Sequence, residues 1–127
     1  MDELRISNLL TRYAYAVDSQ DWDLYRSVFT DDAHVDYSAA GMVTGSIDQA
    51  VEFLRPQQAA IGMGMHYVTN VESHISGDTA DVIAMWFSAV QLPGITETRF
   101  FGGRWRHDMV RTDDGWRSRK LVLEVIW

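Results

Sequence analysis

Cysteine is absent from the 127 residues and proline occurs only twice. Without thiols there is no disulfide, no thiolate nucleophile and no cysteine-ligated metal. No uninterrupted apolar run approaches membrane-spanning length. The chain opens on Asp2-Glu3 and polar residues follow at once, so it reads without a basic-plus-apolar targeting segment. Basic residues are scarce: 11 Lys and Arg stand against 18 Asp and Glu, a formal net charge of -7. An acidic domain of this kind lacks the positive footprint that a phosphate backbone needs. The glycines at 41, 45, 62 and 64 fit no Gly-x-Gly-x-x-Gly pattern, and no His-Glu-x-x-His motif occurs. The expectation is a soluble cytoplasmic protein with no cofactor, no metal, no nucleic-acid partner and no membrane attachment.

The length suits a single domain over residues 1–127, large enough to bury roughly two thirds of its unfolded surface. Leu4, Ile6, Leu9, Leu10, Tyr13, Ala14 and Val17 recur at three- and four-residue spacing, which predicts a helix from an Asp2 cap to about Ser19. Asp21 is a second plausible cap, for a short helix ending before Thr30-Asp31-Asp32. His34 to Ser38 reads as a strand and Val43 to Gly45 as a brief return. Ser46 caps a third helix, Asp48 to Leu54, with Pro56 arguing against its continuation. Further strands are expected at His66 to Ile75, Ala80 to Leu92, Thr96 to Val110 and Trp116 to Ile126. The turn formers Ser76-Gly77-Asp78, Pro93-Gly94 and Thr112-Asp113-Asp114-Gly115 separate them. Helices first and a long meander after predict an α+β chain with helices on one sheet face. Gly102-Gly103 inside a strand marks bending or close approach.

His66 is the leading candidate for chemistry, because imidazole exchanges protons near neutral pH. Asp18, at the end of the first helix, is a candidate to orient it, one pair among the many that four histidines and 18 acids allow. No Gly-x-Ser-x-Gly motif supplies a serine nucleophile, so the pair would act as a base upon substrate. In His34-Val35-Asp36-Tyr37, alternation puts Val35 and Tyr37 on one face, expected to point inward by composition. Tyr37 could then donate to a substrate oxygen as charge develops, or simply fill the core. Tyr13 shares the apolar stripe of the first helix and Tyr15 does not. Asn70 lies four residues beyond His66, on the same face by strand parity, as do Glu72 and His74. Trp86, Ser88 and Val90 share one face, and Met85, Phe87, Ala89 and Gln91 the other; alternation does not say which faces inward. Trp86 and Phe101 are carried forward as substrate contacts with Tyr13 and Asn70.

Several segments together resemble the SnoaL-like group of the nuclear transport factor 2-like superfamily. They are Leu9 to Asp18, Asp21-Trp22-Asp23, Phe29 to Ala33, Met65-His66-Tyr67 with Asn70, and Asp113 to Arg117. The resemblance covers nearly the whole chain and implies a cone-shaped α+β barrel: a curved antiparallel sheet capped by three N-terminal helices, often dimeric through the sheet. It includes scytalone dehydratase, bile acid 7α-dehydratase, a dehydrochlorinase, ketosteroid isomerase and noncatalytic members. Asp18 and His66 match the aspartate and histidine base of the dehydratases and the dehydrochlorinase. Tyr37 resembles the tyrosine that polarises a carbonyl through a water. Tyr13 matches an isomerase oxyanion tyrosine, but the isomerase's carboxylate base would fall at Tyr37. The arginine of the dehydrochlorinase is replaced near Leu121, and a second dehydratase histidine has only Gln91 roughly in its place. The resemblance implies a cofactor-independent dehydratase or related lyase acting on a hydrophobic cyclic small molecule, polyketide- or steroid-like, as a homodimer. Isomerase or cyclase chemistry in the same pocket, and a noncatalytic binding protein, are the alternatives.

Overall fold

Local signals start and stop most of the elements. A computed structural model describes residues Met1–Trp127. Helix α1 spans Asp2–Ser19 and buries Ile6, Leu9, Leu10, Tyr13, Ala14, Ala16 and Val17, the stripe read from the sequence with Ala16 added and Leu4 left exposed. Gln20 closes it in the left-handed region, at φ 58°. Asp21 caps α2, Trp22–Ser27, accepting a hydrogen bond from the Leu24 amide at 3.0 Å. Strand β1 then runs Phe29–Asp36, and a 3-10 turn at Ser38–Ala40 leads to β2, Thr44–Ser46. Helix α3, Ile47–Ala59, opens on a capping box in which Ser46 and Gln49 satisfy each other's backbone amides. Strands β3, Met63–Ser76; β4, Thr79–Gln91; β5, Arg99–Thr112; and β6, Gly115–Val125 complete the chain.

The strands form one six-stranded sheet in the order β2-β1-β6-β5-β4-β3. Every pairing is antiparallel except β1 with β6, which is parallel. The sheet is curved and unclosed, and the three helices cover its concave face. Curvature demands close approach at Gly103, where a Cβ would collide with the Glu124 carbonyl oxygen.

Four local expectations change. Asp2 is the first helical residue rather than the cap, and its carboxylate serves a tertiary role. It accepts two bonds from Arg111, each 3.0 Å, and one from Trp116 Nε1 at 3.2 Å. The Arg111 hydrogen bonds, then that of Trp116, hold its pKa well below the usual carboxylate range. Pro56 does not stop α3; its missing N–H would have faced Glu52, and both residues are exposed, so water can serve the freed carbonyl. The acidic segment Thr30-Asp31-Asp32 belongs to β1, whose pairing with β6 shifts register between Phe29 and His34.

The fourth change decides which residues face inward. Strand β3 carries a bulge between Thr69 and Glu72, with Asn70 at φ 52°. The bulge reverses side-chain parity. Gly64, His66 and Val68 are the more buried positions before it, and Val71, Ser73 and Ile75 after it. Asn70, Glu72 and His74 are therefore exposed and do not share the face of His66.

Candidate functional site

The end of α1 and the start of β3 bring together residues 48 positions apart. Asp18 Oδ1 lies 2.6 Å from His66 Nδ1, and Asp18 Oδ2 accepts the His66 backbone amide at 2.8 Å. Both carboxylate oxygens thus grip one residue, fixing ring and backbone together. A carboxylate only accepts, so Nδ1 carries a proton, and in the neutral ring the lone pair is on Nε2. Neither side chain is sealed: relative exposure is 20% for Asp18 and 22% for His66.

His66 lines a cavity of about 360 Å³ between the helices and the concave sheet face. Fourteen of its 18 lining residues are hydrophobic. Trp86 and Trp105 stack at 6.2 Å and 14°, with their centroids 6.1 and 6.2 Å from the His66 ring. Trp86, Ser88 and Val90 supply the β4 wall, which settles the face that alternation left open. Phe101 and Leu123 contribute from β5 and β6, and Leu54 and Gln58 from α3.

Two tyrosines bring hydroxyls to this wall. Tyr37 Oη lies 2.6 Å from Tyr13 Oη and 2.7 Å from Tyr25 Oη. Tyr13 and Tyr37 line the cavity and Tyr25 does not. Three protons serve two bonds. If Tyr25 accepted from Tyr37, its own proton would point into the core without an acceptor, so Tyr25 donates to Tyr37. The remaining proton falls on Tyr13 or Tyr37, and either can present it to the cavity. Burial raises the pKa of all three phenols, which keeps them as neutral donors.

The structure thus gathers Asp18, His66, Tyr37, Tyr13, Trp86 and Phe101 around one cavity, with Asp18 behind His66, and leaves Asn70 outside it. Sequence reading passed over Tyr25, Trp105, Ser88 and Gln58. Trp105 and His107 carried an alternation signal with Met109, since all three are buried on the inner face of β5. Gln58 carried none, lying beyond the proline that seemed to end its helix.

The SnoaL-like domain model matches residues 1–122. The chain belongs to the SnoaL-like domain family. An uncharacterised Mycobacterium tuberculosis protein is 33% identical over 122 residues, covering 95% of this chain and 83% of that protein. Among solved structures, a Kribbella flavida protein superposes with TM-score 0.88 and 30% identity, covering 99% of this chain and 91% of its own. A hexachlorocyclohexane dehydrochlorinase from Novosphingobium barchaimii superposes with TM-score 0.84 and 20% identity, covering 99% and 90%. At that identity the last match speaks for the fold alone. No helix of this SnoaL-like domain is long and apolar enough to cross a membrane.

Proposed function

We propose that this SnoaL-like domain is a cofactor-independent lyase that removes water, or a comparable leaving group, from a compact hydrophobic ring ketone. The observation that carries the reading is the Asp18–His66 pair, whose imidazole lines a largely apolar cavity. His66 Nε2 takes the acidic proton next to the carbonyl, and Asp18 stabilises the imidazolium that forms. The Tyr13–Tyr37 pair donates to the carbonyl oxygen as it gains charge. The electron pair closes the C=C bond, the C–O bond breaks, and the departing oxygen takes the imidazolium proton.

Cavity size narrows the substrate. Ligand pockets range over roughly 300–1,000 Å³, and 360 Å³ sits at the small end. One or two fused rings suit it better than the four of a steroid. The test is turnover of cyclic β-hydroxy ketones such as 3-hydroxy-1-indanone, followed by the absorbance of the conjugated enone. A protein that binds such ketones and eliminates none of them would instead be a binding module.

Tyr37→Phe removes the central hydroxyl of the chain. Losing one such donor costs roughly 10²–10³ in kcat, and that loss is expected here with KM changed less. Steady-state kinetics check it; an unaltered kcat would remove Tyr37 from the mechanism.

The homodimer belongs to the same proposal. On the convex face, Phe87 stacks on Tyr67 at 6.1 Å and on Phe100 at 5.7 Å, with Trp127 at 5.6 Å. Exposed Met63, Met65 and Met85 extend the patch. An apolar sheet face of this kind suits a second copy in a two-fold arrangement. Sizing at micromolar concentration is expected to give a dimer; a monomer would contradict it.

A further inference from the structure

The cavity wall holds two polar side chains that neither the base nor the tyrosine chain uses, Gln58 and Ser88, and Ser88 is the one placed next to His66. Ser88 lies directly opposite His66 in the β3–β4 register. Its neighbours on the inner face of β4 are Trp86 and Val90. Cross-strand partners on one face hold their Cβ atoms about 4.5–5.5 Å apart. The serine hydroxyl is therefore beside the imidazole, on the same side of the sheet.

The Ser88 residue is only 5% exposed, and no protein group is hydrogen-bonded to its hydroxyl. Nor is the hydroxyl sealed in the core: His107 Nε2 is the one side-chain polar atom both fully buried and unpartnered. What exposure Ser88 has is to the cavity it lines. A polar group on an apolar wall costs free energy unless a partner satisfies it. Alanine would fit the wall without that cost. Ser118, a buried serine on β6, shows the contrast, because its hydroxyl is held by both His107 and the Lys120 carbonyl.

We propose that the Ser88 hydroxyl binds the ligand hydroxyl that departs, holding that oxygen beside His66. This rests on the elimination reading for its chemical meaning. In that step the imidazolium proton passes from His66 to the departing oxygen as the C–O bond breaks, and water leaves. Ser88 transfers no net proton; it accepts or donates one hydrogen bond that keeps the oxygen within reach of the ring. The wall has no arginine or lysine to do so by charge. Ser88 therefore makes the site selective for a hydroxyl over a hydrogen at that carbon.

The test uses two ligands that cannot eliminate, so it does not depend on turnover. They are 3-hydroxy-2,2-dimethyl-1-indanone and 2,2-dimethyl-1-indanone, which lack a hydrogen on the carbon between the two functional carbons. Quenching of Trp86 and Trp105 fluorescence reads their binding. The wild-type protein is expected to prefer the hydroxy ketone by roughly 3- to 10-fold, one net hydrogen bond. In Ser88→Ala that preference falls to about 1, the affinity for the plain ketone stays, and Tm is unchanged or higher. Ser88→Cys keeps the volume with a weak donor, and it is expected to lose most of the preference. No preference in the wild type, or one that survives in both variants, overturns the assignment. Failure of elimination with 3-hydroxy-1-indanone would strike the lyase reading and leave this binding comparison standing.

Discussion

Replacing His66 by glutamine is expected to lower kcat on a cyclic β-hydroxy ketone by roughly 10²–10⁴, the usual worth of a positioned general base. The amide matches part of the ring's volume but accepts a proton too weakly to act as the base. Because His66 is held at the surface of the cavity and not within the packed core, the fold is expected to survive; circular dichroism checks that. Asp18→Asn is the sharper variant. An amide at position 18 presents both a donor and an acceptor where the carboxylate accepts twice, from Nδ1 and from the His66 amide. One of the two bonds must be lost or the ring tautomer reversed, and a reversed tautomer puts the proton on Nε2, where the base must be free. A loss in kcat of the same order as for His66→Gln is expected, with the doubly substituted protein scarcely worse than either single one. Fully additive losses would mean the two side chains do not act as a unit.

The second large effect concerns stability in acid. His107 is 3% exposed, and burial pushes its pKa down to about 3. Ser118 Oγ spends its proton on the Lys120 carbonyl, so His107 Nδ1 donates to Oγ and Nε2 is left bare in the core. Protonating Nε2 would bury a charge with no acceptor. The folded pKa therefore lies below the unfolded value of 6.5. On acidification the unfolded chain takes up the proton first, so stability falls as pH drops from 6.5 toward 3 and levels below that. The full gap corresponds to a loss on the order of 5 kcal/mol, of which roughly 3 kcal/mol falls between pH 6.5 and 4. Asp2 and Asp36, whose pKa values are also lowered, lose their stabilising charge only below the ordinary aspartate value of 3.8, so the upper part of the window belongs to a different group. Urea melts of wild type and His107→Leu across pH 4–7 check this. The wild type is expected to lose stability more steeply than the variant, and parallel curves would refute the assignment.

The fold was legible where one signal decided an element alone. The stripe from Ile6 to Val17 made α1, and turn formers such as Ser76-Gly77-Asp78 separated the long strands at nearly their true ends. Legibility failed where tertiary structure overrode a local rule. Pro56 is tolerated because the carbonyl it frees faces outward, which periodicity cannot know. Asp2 looked like a cap because its real partners, Arg111 and Trp116, are more than 100 positions away. The bulge at Asn70 reverses the face of half of β3, and a single residue at positive φ leaves no trace in an alternation pattern.

The site divides in the same way. Residue types named His66 and Asp18 as chemically capable, and the family resemblance named them as a pair; their 2.6 Å approach is a product of how α1 lies across the start of β3. Tyr13 and Tyr37 were legible from stripe and parity, both being buried. Tyr25 was not, because its role is exercised through Tyr37. Ser88 sat in a correctly drawn alternation, and only the β3–β4 register places it opposite His66.

The central claim is that His66 removes a proton from a ring ketone held in the cavity by the tyrosine hydroxyls. A crystal structure with 1-indanone bound, a ketone that keeps the acidic C–H and has no leaving group, tests it most directly. The carbonyl oxygen is expected on the Tyr13–Tyr37 hydroxyls and the carbon next to the carbonyl about 3–3.5 Å from His66 Nε2, the separation of reacting atoms poised for attack. A ketone bound with its carbonyl turned away from both tyrosines, or with that carbon out of reach of Nε2, would contradict it.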